Sequence, residues 1–296
     1  MAPDYATNVK LGHYPPSAPS PPRGGADRIG AIDAKDAGDL RVPTALIPLP
    51  SRDFDPTEAG VPWRSLRAQG HRVVFATPDG KPGEADPKVL TGEGLGVFAP
   101  FMRADSLGRA AYAEMIQCAE FRRPMPYKDI VAAQFDGVLL PGGHAPGMRP
   151  YLESRLLQLI VVEFFERKLP VAAVCHGVLL AARSEAAPGR SVLFGRKTTA
   201  LTRQMELTAW ALTRFYLGDY YRTYPTTVED EVRSVLAKPD DFITGPLPVR
   251  RDSPTRLNTG FTVRDGNYLS ARWPGDAHRF ASEFAAMLMQ KRSQAA

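Results

Sequence analysis

Two cysteines, Cys118 and Cys175, are all that the 296 residues hold. So sparse a supply excludes a disulfide-stapled scaffold and suits a reducing compartment. Long apolar runs are missing too. No stretch approaches the roughly 18 apolar residues of a membrane span, and none follows a basic start as a secretory leader would. Neither a membrane partner nor export is expected, and cytoplasm is the default. Nor is there a strong excess of one charge: 37 Lys and Arg face 32 Asp and Glu, for a formal charge of +5. The surplus is scattered arginine, and Arg122-Arg123 and Arg250-Arg251 each have acidic neighbours. Without a basic stripe interleaved with aromatics, nucleic acid is not an expected partner. The five histidines show no paired ligand spacing such as i and i+4, so no metal site is expected from them.

What is present is an ordinary globular texture, 44% hydrophobic and 23% charged. Residues 1–40 stand apart as a proline-rich arm, with Tyr14 to Pro22 followed by Gly24-Gly25. Residues 41–296 read as one α/β domain. Apolar runs at Thr44–Leu49, His71–Pro78, Phe135–Leu140 and Pro170–Val174 predict strands. Between them lie a short helix carrying Trp63 and Leu66, ended by Gly70, and a helix from about Ser154 to Arg167. The second has Leu156, Leu157, Ile160, Val161, Phe164 and Phe165 on its apolar face. Strands alternating with helices imply right-handed crossovers and a doubly wound, mostly parallel sheet sandwiched by helices. Residues 80–130 read as an insertion able to roof a site, and Met205 to Tyr221 as a helix packed on the sheet.

Ligands of such sheets sit beyond the carboxyl ends of the strands. Three loops leave those ends here, carrying Glu58, Gly142-Gly143-His144 and Cys175-His176-Gly177. A cysteine between an apolar strand and a helix start sits on a tight elbow near the positive end of the helix, which favours thiolate. The plainer alternative is a small core residue. Gly177 permits the close backbone approach of an elbow. Gly142 and Gly143 either make a turn or present amides to a developing oxyanion. Glu58 either serves the sulfur as a proton shuttle or is simply an acid favoured at a helix start behind Pro56.

The blocks Phe-Asp-Gly-Val-Leu-Leu-Pro-Gly-Gly-His (135–144) and Leu-Pro-Val-Ala-Ala-Val-Cys-His-Gly (169–177), in this order, resemble the ThiJ/PfpI superfamily. That superfamily contains the parkinsonism-associated deglycase and shares the flavodoxin-like, class I glutamine amidotransferase-like fold. Within it the chain is most similar to the heat-shock chaperone and glyoxalase III branch. The resemblance implies Cys175 as nucleophile, Glu58 in Asp-Pro-Thr-Glu as the acid facing it, and His176 as the adjacent histidine. The acid orienting that histidine, expected after a strand matching residues 195–202, would be Glu206. Gly142, Gly143, His144 and Gly177 would contribute to oxyanion and substrate binding. Departures include Val178 in place of the usual proline, no counterparts of the branch's metal-site histidines, and unfamiliar stretches at 217–225 and 266–274.

The implied activity is cofactor-free and cysteine-dependent, on a small reactive carbonyl such as methylglyoxal, with lactate as product. Alternatives at the same thiol are amide, peptide or isonitrile hydrolysis, and a redox-responsive stress chaperone. The partners implied are a small-molecule substrate and a second copy in a homodimer.

Overall fold

The computed structural model describes residues 42–247 and 250–295; the proline-rich arm expected over 1–40 lies outside them. Seven strands form one sheet: β1 (Thr44–Pro48), β2 (Arg72–Thr77), β3 (Met125–Pro126), β4 (Gly137–Leu140), β5 (Val171–Val174), β6 (Thr262–Asp265) and β7 (Tyr268–Ala271). Their spatial order is β6-β7-β5-β4-β1-β2-β3. Every neighbouring pair is parallel except β6 and β7, an antiparallel hairpin turned at Gly266. Every residue of β1, β4, β5 and β7 is buried, as strands covered on both faces must be.

Helix α1 (Pro56–Ala68) packs against α2 (Ser106–Met115), which belongs to the 80–130 segment. Its other main neighbour is the last helix, α7 (Ala277–Ala295), which buries Phe280, Phe284 and Leu288, four residues apart, along one face. A second group is formed by α3 (Arg155–Glu166), α4 (Gly177–Ala182) and α6 (Val228–Val235). In α3 the expected stripe is buried apart from Leu156, which is exposed. Among the described residues no helix is long and apolar enough to cross a membrane.

Two expectations are corrected. Residues 195–202 form no strand, only an isolated bridge from Thr198 to Phe242. The helix over Met205 to Tyr221 is real as α5 (Arg203–Leu217), but it is not a core helix. It buries only Glu206 and Thr213, and Phe215 is 84% exposed. Its aromatics and methionine are spaced like a buried face, yet the sheet is already covered by α3 and α4.

The chain reverses direction across the sheet beside β1, which has β2 on one side and β4 on the other. That switch point is where an open α/β sheet leaves a crevice at its carboxyl edge. The loops after β1, β4 and β5 all open there.

Candidate active site

Cys175 follows directly on β5 and holds a left-handed backbone, φ 55°. A non-glycine residue in that region costs on the order of 1–3 kcal/mol, which the surrounding structure must impose. Gly177 shows how tightly the turn is made. A Cβ there would fall 2.2 Å from the carbonyl oxygen of Leu140 and 2.7 Å from that of Pro141. Only glycine lets α4 start against the end of β4. This is the strand-to-helix elbow expected from the sequence.

Glu58 lies in the first turn of α1, not in a loop before it. The helix-start reading of this acid therefore holds. Asp55 caps the helix by accepting from the amides of Thr57 (2.7 Å) and Glu58 (3.1 Å), and Pro56 occupies the first position. The same turn is stitched to the β4 loop from both sides. Asp55 N–H donates to Gly142 O at 2.8 Å, and Gly142 N–H donates to Glu58 Oε2 at 2.8 Å. A Cβ at Gly142 would come within 2.9 Å of Cys175 Cβ, so the carboxyl, the glycine and the elbow are in direct contact. One expectation changes as a result: the Gly142 amide is occupied by Glu58 and does not serve an oxyanion. Gly143 is needed for space, since a Cβ there would sit 2.5 Å from Asp53 O. The amide that does face the sulfur is that of His176.

Cys175, Glu58 and His176 are all fully buried. Burial pushes the Cys175 thiol well above its ordinary range. The negative charges of Glu58 and Asp55 add to this, and the His176 amide works against it. Burial also raises Glu58 well above the usual carboxylate range. Asp55 reinforces the rise, while the Gly142 amide, the nearby thiol and Arg251 oppose it. The thiolate expected from the helix start is therefore not the resting form. Helix α4 has only six residues, and its dipole is outweighed by desolvation.

His176 Nδ1 lies 3.5 Å from Cys175 Sγ. On the other side of the ring, Nε2 is 3.2 Å from Thr223 Oγ1. Thr223 donates its hydroxyl hydrogen to His144 O, and its own carbonyl is held by Arg149 Nε at 2.8 Å. With that hydrogen spent, Thr223 Oγ1 can only accept from the imidazole. His176 is thereby fixed as the Nε2–H tautomer, with the Nδ1 lone pair turned to the thiol. Burial holds its pKa well below the ordinary value, and His144 and Arg183 push it the same way. A neutral base beside a neutral thiol is the resting arrangement.

Glu206 does not occupy the place expected of it. Its Oε2 accepts from the amide of Val228 at 2.8 Å, joining the first turns of α5 and α6, and burial lifts its pKa to about 7. The group on His176 Nε2 is the Thr223 hydroxyl instead. Thr223 escaped the sequence reading, although it lies in the 217–225 stretch that departs from the known pattern. His144 packs edge-on against both His176 and Tyr221, each at 5.3 Å between ring centres. Desolvation holds its pKa at about 4, so it is neutral.

Histidines without ligand spacing along the chain are brought together by the fold. Ligand atoms of His144, Cys175 and His176 all lie within 4.8 Å of one another. This mixed nitrogen and sulfur set has the softness that zinc or cuprous ions prefer. In the unfamiliar 266–274 stretch, Arg272 is buried in an ion pair with Asp276 (3.0 Å), whereas its neighbour Trp273 lines a cavity beside the site.

Comparison with known proteins gives the family and the fold. A profile described as ThiJ/PfpI family-like matches residues 49–246, more than half of the chain. A deglycase of Pyrococcus abyssi is 23% identical over 242 residues, covering 81% of this chain and 96% of that protein. Protein DJ-1 homolog D of Arabidopsis thaliana is 32% identical over 143 residues, which is 48% of this chain but only 31% of the plant protein. The crystal structure of glyoxalase III from Candida albicans superposes with a TM-score of 0.60 at 19% identity, over 83% of this chain and 97% of that one. The chain belongs to the ThiJ/PfpI-like family.

Proposed function

We propose that this ThiJ/PfpI-like protein is a cysteine-dependent enzyme that converts a 2-oxo aldehyde to a 2-hydroxy acid without a cofactor. The observation that carries the reading is a buried carboxyl, Glu58, and a buried thiol, Cys175, both packed against Gly142, with a neutral imidazole 3.5 Å from the sulfur.

The sulfur adds to the aldehyde carbon, and the thiol proton passes by way of His176 Nδ1 to the carbonyl oxygen, giving a hemithioacetal. No isolated thiolate has to persist in the dry site, because charge moves to oxygen as the C–S bond forms. The His176 amide stands where that oxygen charge develops. The ionised form of Glu58 then takes the proton from the sulfur-bearing carbon, leaving an enediolate, and returns it to the neighbouring carbon as the hydroxyl proton of the sulfur-bearing carbon passes to the former ketone oxygen. The product is a thioester of Cys175. Water cleaves it to the hydroxy acid and regenerates the thiol.

The name glyoxalase III borne by a neighbour in fold supports this chemistry, and the deglycase names of archaeal relatives support carbonyl chemistry more broadly. Those names favour one second reading, removal of carbonyl adducts from amines by the same thiol. Purified protein incubated with methylglyoxal should consume it and form lactate, and Cys175→Ala should abolish both. Lactate formation surviving in that variant would refute the reading. Release of free amine from methylglyoxal adducts without lactate from the free aldehyde would favour the second.

A further inference from the structure

Against the thiol cluster lies a cavity of about 300 Å3 that the steps above do not use. His144 and Asp55 are in its wall, so it begins one side-chain layer from Cys175. Most of the wall is apolar: Val89 and Met102 from the 80–130 segment, Leu201, Met205 and Ala209 at and along α5, and Pro274. Asp55, His144, Gln204 and Thr208 also line it, His144 Nδ1 being buried without a partner, and three further polar groups interrupt the wall. Arg251 Nη1, Trp273 Nε1 and Tyr221 Oη are each buried without a hydrogen-bond partner, and all three residues line the cavity. The Arg251 guanidinium lies over the Trp273 ring at 5.1 Å. Among the described residues no carboxylate forms an ion pair with it, although Asp55 and Glu58 feel its charge.

Buried donors without acceptors are unfavourable in an empty protein and favourable when a ligand brings the acceptors. Two of these three can only donate, and the third readily does. A cationic donor backed by an indole suits a flat anion such as a carboxylate. Apolar walls enclosing a few convergent polar groups make a ligand pocket, and its volume exceeds what the smallest 2-oxo aldehydes fill.

We propose that this cavity holds the body of the substrate and selects carbonyl compounds with an aromatic-sized apolar body and an anionic head, the head taken by Arg251 and Trp273. This rests on the carbonyl reading of Cys175 and adds the substrate class.

Binding tests it separately from turnover. Benzoylformate has the aryl body and a carboxylate but no aldehydic hydrogen, so no proton shift can consume it. Titrated calorimetrically into the protein, it should bind at least about tenfold more tightly than pyruvate, which lacks the body, or acetophenone, which lacks the head. Arg251→Gln should cost benzoylformate about tenfold and leave acetophenone within about twofold. Trp273→Phe, which keeps an aromatic face beneath Arg251 but drops the N–H, should cost severalfold. Equal binding of benzoylformate and pyruvate, or unchanged benzoylformate binding in both variants, would overturn the proposal. Should methylglyoxal not be turned over while these differences hold, the reaction fails and the pocket stands; the reverse pattern fails the pocket alone.

Discussion

Thr223 Oγ1 accepts from His176 Nε2 at 3.2 Å while giving its own hydrogen to the His144 carbonyl. A hydroxyl in this position fixes the ring as an acid would, but it does not stabilise an imidazolium. His176 is therefore held as a neutral imidazole beside the sulfur, and under the proposed function it relays the thiol proton.

Removing that hydroxyl should mis-set the relay. Thr223→Val keeps the volume and leaves a buried N–H unpaired, at a cost of about 1–3 kcal/mol. We expect kcat/KM to fall by about ten- to a hundredfold with the fold intact. Thr223→Asp should instead raise the His176 pKa, which the imidazole nitrogen shifts would report. Unchanged kinetics and shifts in both variants would leave Thr223 a packing residue.

The thiol should behave as a buried, protonated one. Because desolvation, Glu58 and Asp55 all push its pKa up, alkylation of Cys175 by iodoacetamide should be slow at pH 7 and still climbing at about pH 9. A plateau reached in the acid range would mean a stabilised thiolate and contradict the resting state described above.

Gly177 has no room for a methyl group, given the carbonyls at 2.2 and 2.7 Å. Gly177→Ala should destabilise the protein by about 1–3 kcal/mol through overpacking and strain, read as a lower Tm and lost activity. A variant with unchanged Tm and activity would show that the elbow yields freely.

Glu206 gives a pH signature. Its folded pKa of about 7 lies above an ordinary value of 4.5, so between these values the folded state holds the proton more tightly. The stabilisation is complete below pH 4.5 and is lost as pH rises toward and past 7, by about 3 kcal/mol at most. Glu206→Gln, which can still accept from Val228 N–H, lacks this loss. Denaturant melts should show wild type falling relative to the variant from pH 5 to pH 8. Parallel pH profiles would rule the assignment out.

Much of this was legible in the sequence, for identifiable reasons. Continuous apolar runs mark β1, β4 and β5 because strands covered on both faces have no polar side. Cys175 stands out because a cysteine between such a run and His-Gly is rarely casual. Glu58 could be found but not placed, since the same Asp-Pro-Thr-Glu pattern serves a helix start and a proton shuttle; the structure sets it in a helix start, with its carboxyl on the Gly142 amide. Thr223 had no signature: a threonine 47 residues from its histidine becomes visible only when the fold closes. Helix α5 misled because amphipathic spacing says that a face exists, not that the sheet has room for it. The thiol's state was misjudged because a helix start can be read from sequence and the depth of burial cannot.

The most direct test is the rate of lactate formation from methylglyoxal by Glu58→Gln, whose amide oxygen can still accept from Gly142 N–H. With Cys175 and His176 intact, carbonyl addition should survive while proton transfer between carbons is lost. The expected result is a fall of about a hundred- to ten-thousandfold in kcat, with methylglyoxal still protecting Cys175 from alkylation. Activity within tenfold of wild type would contradict a proton shuttle at Glu58.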